Sequence, residues 1–325
     1  MRAGLSRLLA LLLGLAVGGA LLAWSFRGTD VAAVLGLLRG GRWGLPAVSV
    51  LAGTAVFVWA KAVRWRWLLG ATSAPTAGAL VRPVTAGLAL NALLPHAGEF
   101  VRAFSLQRQQ GFVASAVLAS IVAERVFDLF AVLLLAAWAI VWVPVPAAVA
   151  SAVHTLGAVA FAGSAGIVAV LVWPAPFQAL ARHIAAVLPT RLAEAFLREV
   201  DAALAGFAPV RSLRTAIRVL GWSLVQWLAI AVGAAGSALV VGDVIGLGTA
   251  LLVVVGIVVA FLLPNAPGYA GSAQLAFLVS LGATGVAPAH ALAASVVYQT
   301  LMILPVVVVG LAGLRGALAH RSAQH

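Results

Sequence analysis

Residues 91–102 read Asn-Ala-Leu-Leu-Pro-His-Ala-Gly-Glu-Phe-Val-Arg, an apolar segment that breaks at Pro95 and then becomes charged. Proline ends or kinks a helix because it lacks the backbone N–H and its ring clashes with the preceding turn. Gly98 adds no side chain at the point where the chain restarts. Glu99 and Arg102 follow with i,i+3 spacing, so they can pair if Gly98 opens a new helix. Broken apolar segments that carry charges are typical of membrane proteins that handle a polar group.

The composition of the whole chain supports this interpretation. Of its 325 residues 64% are hydrophobic and 9% are charged, and the mean hydropathy is +1.13. Soluble proteins have about 45–50% apolar and about 25% charged residues. We therefore predict an all-α polytopic membrane helix bundle, with one integral membrane domain over residues 1–325.

Seven apolar runs are long enough to cross about 30 Å of hydrocarbon. They cover residues 5–24, 44–60, 112–143, 147–172, 220–241, 245–263 and 290–314. Two further segments are predicted to be short, broken or re-entrant. Residues 77–94 carry Arg82 and Pro83 in an apolar run and lead into the break at Pro95, and residues 275–281 are too short to span. The prediction is thus seven to nine membrane segments.

The net charge of +12 comes from 20 Lys and Arg against 8 Asp and Glu. Most Arg flank apolar runs, where membrane topology and anionic lipid head groups explain them, so we expect no nucleic-acid partner. The basic, Trp-rich residues 61–67 predict a cytoplasmic interface and hence a cytoplasmic N-terminus, although three Arg between the first two spans oppose this orientation. Heavy use of Ala, Gly, Val and Arg is associated with bacterial genomes, so the bacterial inner membrane is the expected location.

Residues 176–218 form the one long polar stretch, with apolar residues at helical spacing. We predict an amphipathic cytoplasmic connector between the halves 1–175 and 219–325. Leu93-Leu94-Pro95 in the first half recurs as Leu262-Leu263-Pro264 in the second. Weak internal similarity at interrupted segments indicates a repeat architecture. Leu-Leu-Pro is also common in this composition, so a repeat and a coincidence both stay open.

Each break frees backbone polar groups, which a membrane tolerates only when they are buried in protein or face a polar cavity. A helix that begins after Gly98 or Gly271 would point its positive end at such a cavity, where a phosphate is favoured. His96, inside the first break, is a candidate for phosphate contact or proton transfer, with helix capping or packing as the alternative.

Glu124, Arg125 and Asp128 form a second charged group inside a predicted span. Each ionisable residue there costs about 2.5–3.5 kcal/mol on insertion scales. Arg125 and Asp128 have i,i+3 spacing and can pair, which leaves Glu124 to find another cation, with Arg102 as the expected partner. Two compatible interpretations follow: an ion-pair network that holds the helices together, and a site that contacts a charged substrate.

The same residues make three motifs that together resemble the lysylphosphatidylglycerol synthetase transmembrane-region family of flippase-like membrane proteins. Its Asn, Pro, Gly-Glu and Arg pattern is met by Asn91, Pro95, Gly98, Glu99 and Arg102. Its Glu-Arg-x-x-Asp motif is met by Glu124, Arg125 and Asp128. Its Pro-Gly-Gly-x-Gly-x-x-Glu motif is met in part by Pro267, Gly268 and Gly271, with Tyr269 and Gln274 standing where the family usually has Gly and Glu.

The resemblance implies a lipid flippase or transporter whose motif residues line a cavity for a lipid head group. The expected substrate-binding residues are Asn91, Pro95, His96, Gly98, Glu99, Arg102, Glu124, Arg125, Asp128, Asn265, Pro267, Gly268, Tyr269, Gly271 and Gln274. Gln in place of Glu removes a negative charge, which favours an anionic or polyprenyl-linked lipid. In longer family members a soluble aminoacyl-transferase domain follows, but this sequence ends at His325 and we expect no lysyl transfer.

Two alternatives belong to other classes. One is an intramembrane enzyme of lipid-linked glycan or terpenoid-lipid synthesis, with Glu99 or Asp128 as general base. The other is an accessory partner of a glycosyltransferase or lipid-synthesis enzyme. The chain has no cysteine, no histidine pair at metal spacing, no Walker loop and no Gly-x-Ser-x-Gly motif, so we expect no metal and no cofactor. Membrane lipids are the expected partners.

Overall fold

The computed structural model describes residues 15–70, 74–94, 97–143, 173–261 and 266–322, with separate helical residues between 151 and 169. Throughout these residues the regular structure is helical and no strand occurs, which confirms the all-α membrane bundle. The helices are α1 Leu15–Ser25, α2 Val31–Arg39, α3 Gly44–Leu68, α4 Ala77–Leu93, α5 Ala97–Gln110, α6 Ala114–Trp142, α7 Pro174–Ala185, α8 Thr190–Gly206, α9 Leu213–Val240, α10 Leu247–Ala260, α11 Ser272–Gly282, α12 Pro288–Tyr298 and α13 Leu304–Ser322. Short 3₁₀ turns lie at Ala208–Arg211 and Pro267–Tyr269, and a π turn lies at Gln299–Ile303.

Four of the described helices are long and apolar enough to cross a membrane. They are α3, α6, α9 and the continuous helix Pro288–Gly313, in which the π turn joins α12 to α13. The predicted span 245–263 is shorter than expected, because α10 has 14 residues and is only about 21 Å long at 1.5 Å per residue. Most of the predicted span 147–172, and the first ten residues of the span predicted at 5–24, lie outside the described residues.

The helices α3 and α9 form an extensive pair at the centre of the bundle, and small residues allow their close approach. A Cβ atom added to Gly53 of α3 would lie 2.8 Å from the carbonyl oxygen of Ala229 in α9. Small residues at helix crossings are the usual way for membrane helices to pack tightly, since lipid provides no hydrophobic driving force between them.

Both breaks join two short helices that pack against each other: α4 with α5, and α10 with α11. The first hairpin packs along α13 and α3, and the 3₁₀ turn of the second break contacts α4. The segment predicted at residues 77–94 is the 17-residue helix α4, which continues through Arg82 and Pro83. Pro83 is buried, so packing against neighbouring helices offsets the one helical hydrogen bond that a proline removes.

The polar stretch after residue 173 forms two helices, α7 and α8, and the first 3₁₀ turn rather than one long helix. The apolar face of α8 lies against α6, and Leu204 and Phe207 are buried there. The connector is therefore packed on the bundle, and its position at a cytoplasmic surface stays a prediction.

The turn between α4 and α5 depends on two glycines. A Cβ atom on Gly98 would overlap the carbonyl oxygen of Gly87, and the N–H of Gly98 donates to Asn91 Oδ1 at 2.7 Å. We predict that Gly98→Ala lowers the free energy of unfolding by about 1–3 kcal/mol, the usual cost of overpacking. Titration with SDS in mixed micelles, followed by tryptophan fluorescence, measures this change.

The matched control is Gly78→Ala, because Gly78 lies in the first turn of α4 and no atom is within 4 Å of its added Cβ. That variant should be neutral or slightly more stable, since alanine favours helix. Equal stability of the two variants would contradict the close-packing account.

Candidate functional site

Glu124 is the centre of a buried ion network. It lies in α6 with none of its surface exposed. Its Oε1 accepts from Lys61 Nζ and from Arg64 Nη2 at 2.8 Å, and its Oε2 accepts from Arg102 Nη2 at 2.7 Å. One carboxylate thus joins α6 to α3 and α5. The predicted partnership of Glu124 with Arg102 is confirmed.

Asp128 lies one helical turn beyond Glu124 and completes the network. It accepts from both terminal nitrogens of Arg64, at 3.2 Å for Nη2, from Trp227 Nε1 at 2.9 Å and from Gln226 Nε2 at 3.2 Å. These bonds join α6 to α3 and α9. A carboxylate with several donors is well stabilised in a site that excludes water.

Glu99 and Arg125 form a third bridge, from α5 to α6. The side chain of Arg125 is 54% exposed, whereas that of Glu99 is 14% exposed. The pairs that the spacing allowed within one helix, Arg125 with Asp128 and Glu99 with Arg102, are wrong as predictions. Each of these carboxylates bonds instead to a cation on another helix, because α3, α5 and α6 bring opposite charges together.

The prediction that residues 61–67 face lipid head groups is wrong for three of them, and the side of the membrane stays a prediction. Lys61, Arg64 and Trp65 are buried inside the bundle. The indole N–H of Trp65 donates to Ser120 Oγ at 3.1 Å, and the guanidinium of Arg102 lies 4.0 Å from the centre of the Trp65 ring. The two carboxylates of α6 would be costly without counter-charges, and Lys61 and Arg64 supply them. Lys61, Arg64 and Trp65 therefore no longer support a cytoplasmic N-terminus.

A cavity of about 460 Å³ lies beside the network. Its charged wall consists of Lys61, Glu99, Arg102, Arg125 and Asp128. The rest of the lining is mainly apolar side chains of α3, α4, α6, α9, α10, α12 and α13 and aromatic rings, among them Trp227, Phe261 and Tyr298. Both interrupted segments reach the cavity, the first through Asn91 and Glu99 and the second through Tyr269.

The ion network carries a surplus of positive charge. Its described members are the cations Lys61, Arg64, Arg102 and Arg125 and the carboxylates Glu99, Glu124 and Asp128, so one positive charge is left over. A cavity bordered by such a group attracts anions, and the low dielectric of the bundle strengthens that attraction.

The second break holds Tyr269 against the cavity. Tyr269 has a positive φ of 60°, and its ring stacks on Phe261 with 4.0 Å between the ring centres. Behind it, Gln274 Nε2 donates to Gln299 Oε1, and Gln299 Nε2 donates to the carbonyl oxygen of Gly268 at 3.0 Å. Gln274 Oε1 also accepts from the N–H of Gly271 at 2.8 Å. This amide network fixes the turn that carries Tyr269.

The expected site residues therefore fall into three groups. The cavity is lined by Asn91, Glu99, Arg102, Arg125, Asp128 and Tyr269. A second group does not line the cavity: Glu124 neutralises the cations of the network, and the other members form the turns of the two breaks. These others are Gly98, Pro267, Gly268, Gly271 and Gln274. Pro95, His96 and Asn265 lie outside the described residues.

A family model described as the lysylphosphatidylglycerol synthase TM region matches residues 11–310 of the chain. The chain belongs to the lysylphosphatidylglycerol synthase transmembrane-region family. Membership and the four long apolar helices make it a multi-pass membrane protein with a lipid-related role. No curated protein and no solved structure matches the chain.

Sequence reasoning missed several residues of the site in this family member. Lys61 and Arg64 look like interfacial charges, yet Lys61 is the only lysine in the sequence, which was the available signal. Gln226, Trp227 and Gln299 lie in apolar runs, where a lone amide or indole gives no sign of its partner.

We predict that Glu124→Gln lowers the free energy of unfolding of this family member by about 3–5 kcal/mol, because breaking a buried ion pair leaves uncompensated charge. Three cations would lose their shared carboxylate at once. SDS titration measures the loss. Glu194→Gln, which removes one negative charge from the exposed side of α8, is the control and should change stability by less than about 0.5 kcal/mol. Equal effects of the two variants would contradict a central role for Glu124.

Proposed function

We propose that the chain is a flippase-like transporter in the bacterial inner membrane that moves an anionic lipid between leaflets. The head group would enter the cavity beside the ion network while the acyl chains stay in the bilayer. The observation that carries the proposal is the cavity itself, because its lining combines a connected group of charged side chains with apolar and aromatic side chains. A lipid head group and the first carbons of its chains have this same combination of charged and apolar parts.

The charge of the cavity supports an anionic rather than a cationic lipid. The ion network has one surplus positive charge, and Arg125 is its most exposed cation. The planar guanidinium group suits a phosphate because it can donate two parallel hydrogen bonds. At the second break the neutral Gln274 stands where the family usually has Glu, so no carboxylate opposes the phosphate from that side.

The enzyme alternative has less support. A general base needs a lone pair within reach of the substrate proton. Asp128 accepts from Arg64, Gln226 and Trp227, and Glu99 is bound to Arg125. Hydrogen bonds from cations stabilise a carboxylate as an anion and weaken it as a base.

The test is translocation of fluorescent lipids in proteoliposomes, with phosphatidylglycerol, phosphatidylcholine and lysylphosphatidylglycerol as substrates. We predict faster movement of phosphatidylglycerol than of the other two. Arg125→Gln should lower the phosphatidylglycerol rate by about 10- to 100-fold, since a hydrogen bond to a charged group contributes about 1.5–3 kcal/mol.

The control for the lost charge is Arg198→Gln, which lies on the exposed side of α8 away from the cavity. It should keep the wild-type rate, and both variants should insert and remain folded. Equal rates for all three lipids would refute the anionic preference. Loss of folding with every conservative replacement of Arg125 would favour a purely structural network.

A further inference from the structure

The bridge between Glu99 and Arg125 differs from the rest of the ion network in its accessibility. Lys61, Arg64 and Arg102 have side chains that are at most 6% exposed, and each contacts the buried Glu124. Arg125 is 54% exposed, and among the described residues its one ion pair is with Glu99. An anion that enters the cavity can therefore reach Arg125 without opening the buried network.

The place of the Glu99 carboxylate attracts an anion for two reasons. Its carboxylate contacts the guanidinium of Arg125, and it lies in the first turn of α5, where the helix dipole favours negative charge. Both Glu99 and Arg125 line the cavity. A lipid phosphate that bound Arg125 at this point would need the place that the Glu99 carboxylate now takes.

We propose that Glu99 is an internal counter-anion that competes with the phosphate of the lipid for Arg125. In the empty state Glu99 neutralises Arg125, and on entry the phosphate takes over the guanidinium while Glu99 moves aside. The competition lowers the affinity for the anionic lipid, and this allows release, because Glu99 returns as the phosphate leaves. The inference rests on the proposed function for its ligand, an anionic lipid, but its test measures binding alone.

The reason for such a device is the energy of an exposed charge inside a membrane. An unpaired guanidinium is costly there, and a permanently bound lipid could not be released. Exchange of one anion for another keeps Arg125 neutralised at every stage. Glu99 is suited to this role since its carboxylate lies against the cavity, whereas Glu124 is fully buried under three cations.

The experiment is calorimetric binding of dioctanoyl phosphatidylglycerol to the purified full chain in detergent, with dioctanoyl phosphatidylcholine and inorganic phosphate as further ligands. Glu99→Gln should lower the Kd for phosphatidylglycerol by about tenfold and leave phosphatidylcholine unchanged. The double variant Glu99→Gln/Arg125→Gln should lose this gain. Glu194→Gln, which removes an exposed carboxylate from α8, should bind as wild type does.

A different result is expected if the bridge between Glu99 and Arg125 is purely structural. Glu99→Gln would then weaken phosphatidylglycerol binding or leave it unchanged in folded protein, and either result overturns the proposal, as does absence of binding to wild type and variant alike. Tightening with inorganic phosphate as well as lipid shows that the phosphate group suffices, and tightening with lipid alone shows that the chains contribute; both support the exchange. If Glu99→Gln fails to fold, Glu99→Asp gives the readout, because its shorter carboxylate should tighten binding by a smaller factor.

Translocation of the same variants in proteoliposomes separates this inference from the proposed function. A tenfold change in Kd without lipid movement in wild type keeps the competition and rejects transport. Lipid movement without a change in Kd keeps transport and rejects the competition.

Discussion

The fold depends on the neutralisation of charge inside a membrane helix bundle. Glu124 is completely buried, and three cations from α3 and α5 surround it. An isolated ion in such a place is costly, whereas a hydrogen-bonded group of opposite charges is tolerated. Because no helix of this network carries all its own partners, the charges determine which helices must be neighbours. The packing of small residues, such as Gly53 against α9, then brings the helices close enough for these bonds to form.

The cavity follows from the two short hairpins. At about 1.5 Å per residue, the 17 residues of α4 and the 14 residues of α10 are each shorter than the hydrocarbon layer. Where a helix stops short of the full thickness, the backbone polar groups at its end need partners or a polar space. Asn91 satisfies the N–H of Gly98 in the first turn, and Gln299 satisfies the carbonyl of Gly268 in the second. The remaining space between the hairpins, α6 and α9 is the cavity.

Composition and local spacing were sufficient for the class of protein and for the first break. The need for apolar residues comes from the bilayer alone, and Pro95 and Gly98 affect the backbone at their own positions.

The partners of the charged residues could not be predicted in this way. The i,i+3 rule compares residues on one helix, and it therefore suggested Arg125 with Asp128, although the bonds formed cross between helices. Lys61 and Arg64 satisfied the rule for interfacial charges equally well, and only the position of α6 reveals that they are buried. The confirmed pair of Arg102 with Glu124 follows from a different constraint, because a buried carboxylate needs a cation and that cation can come from another helix of the bundle.

The same reasoning explains why a neutral residue at position 274 matters. The amide of Gln274 uses its oxygen for Gly271 and its nitrogen for Gln299, and Gln299 in turn holds Gly268. A carboxylate at 274 would offer no donor, so Gln299 would have to rotate its own amide and release the carbonyl of Gly268. That carbonyl precedes Tyr269, whose strained φ and stacking on Phe261 set the aromatic side of the cavity. Gln274 thus leaves the second break without a charge and also maintains the conformation of its turn. The cavity thus combines ions on α3, α5 and α6 with the uncharged ring of Tyr269 at the second break, and a ligand that has both an anionic group and an apolar body fits this lining.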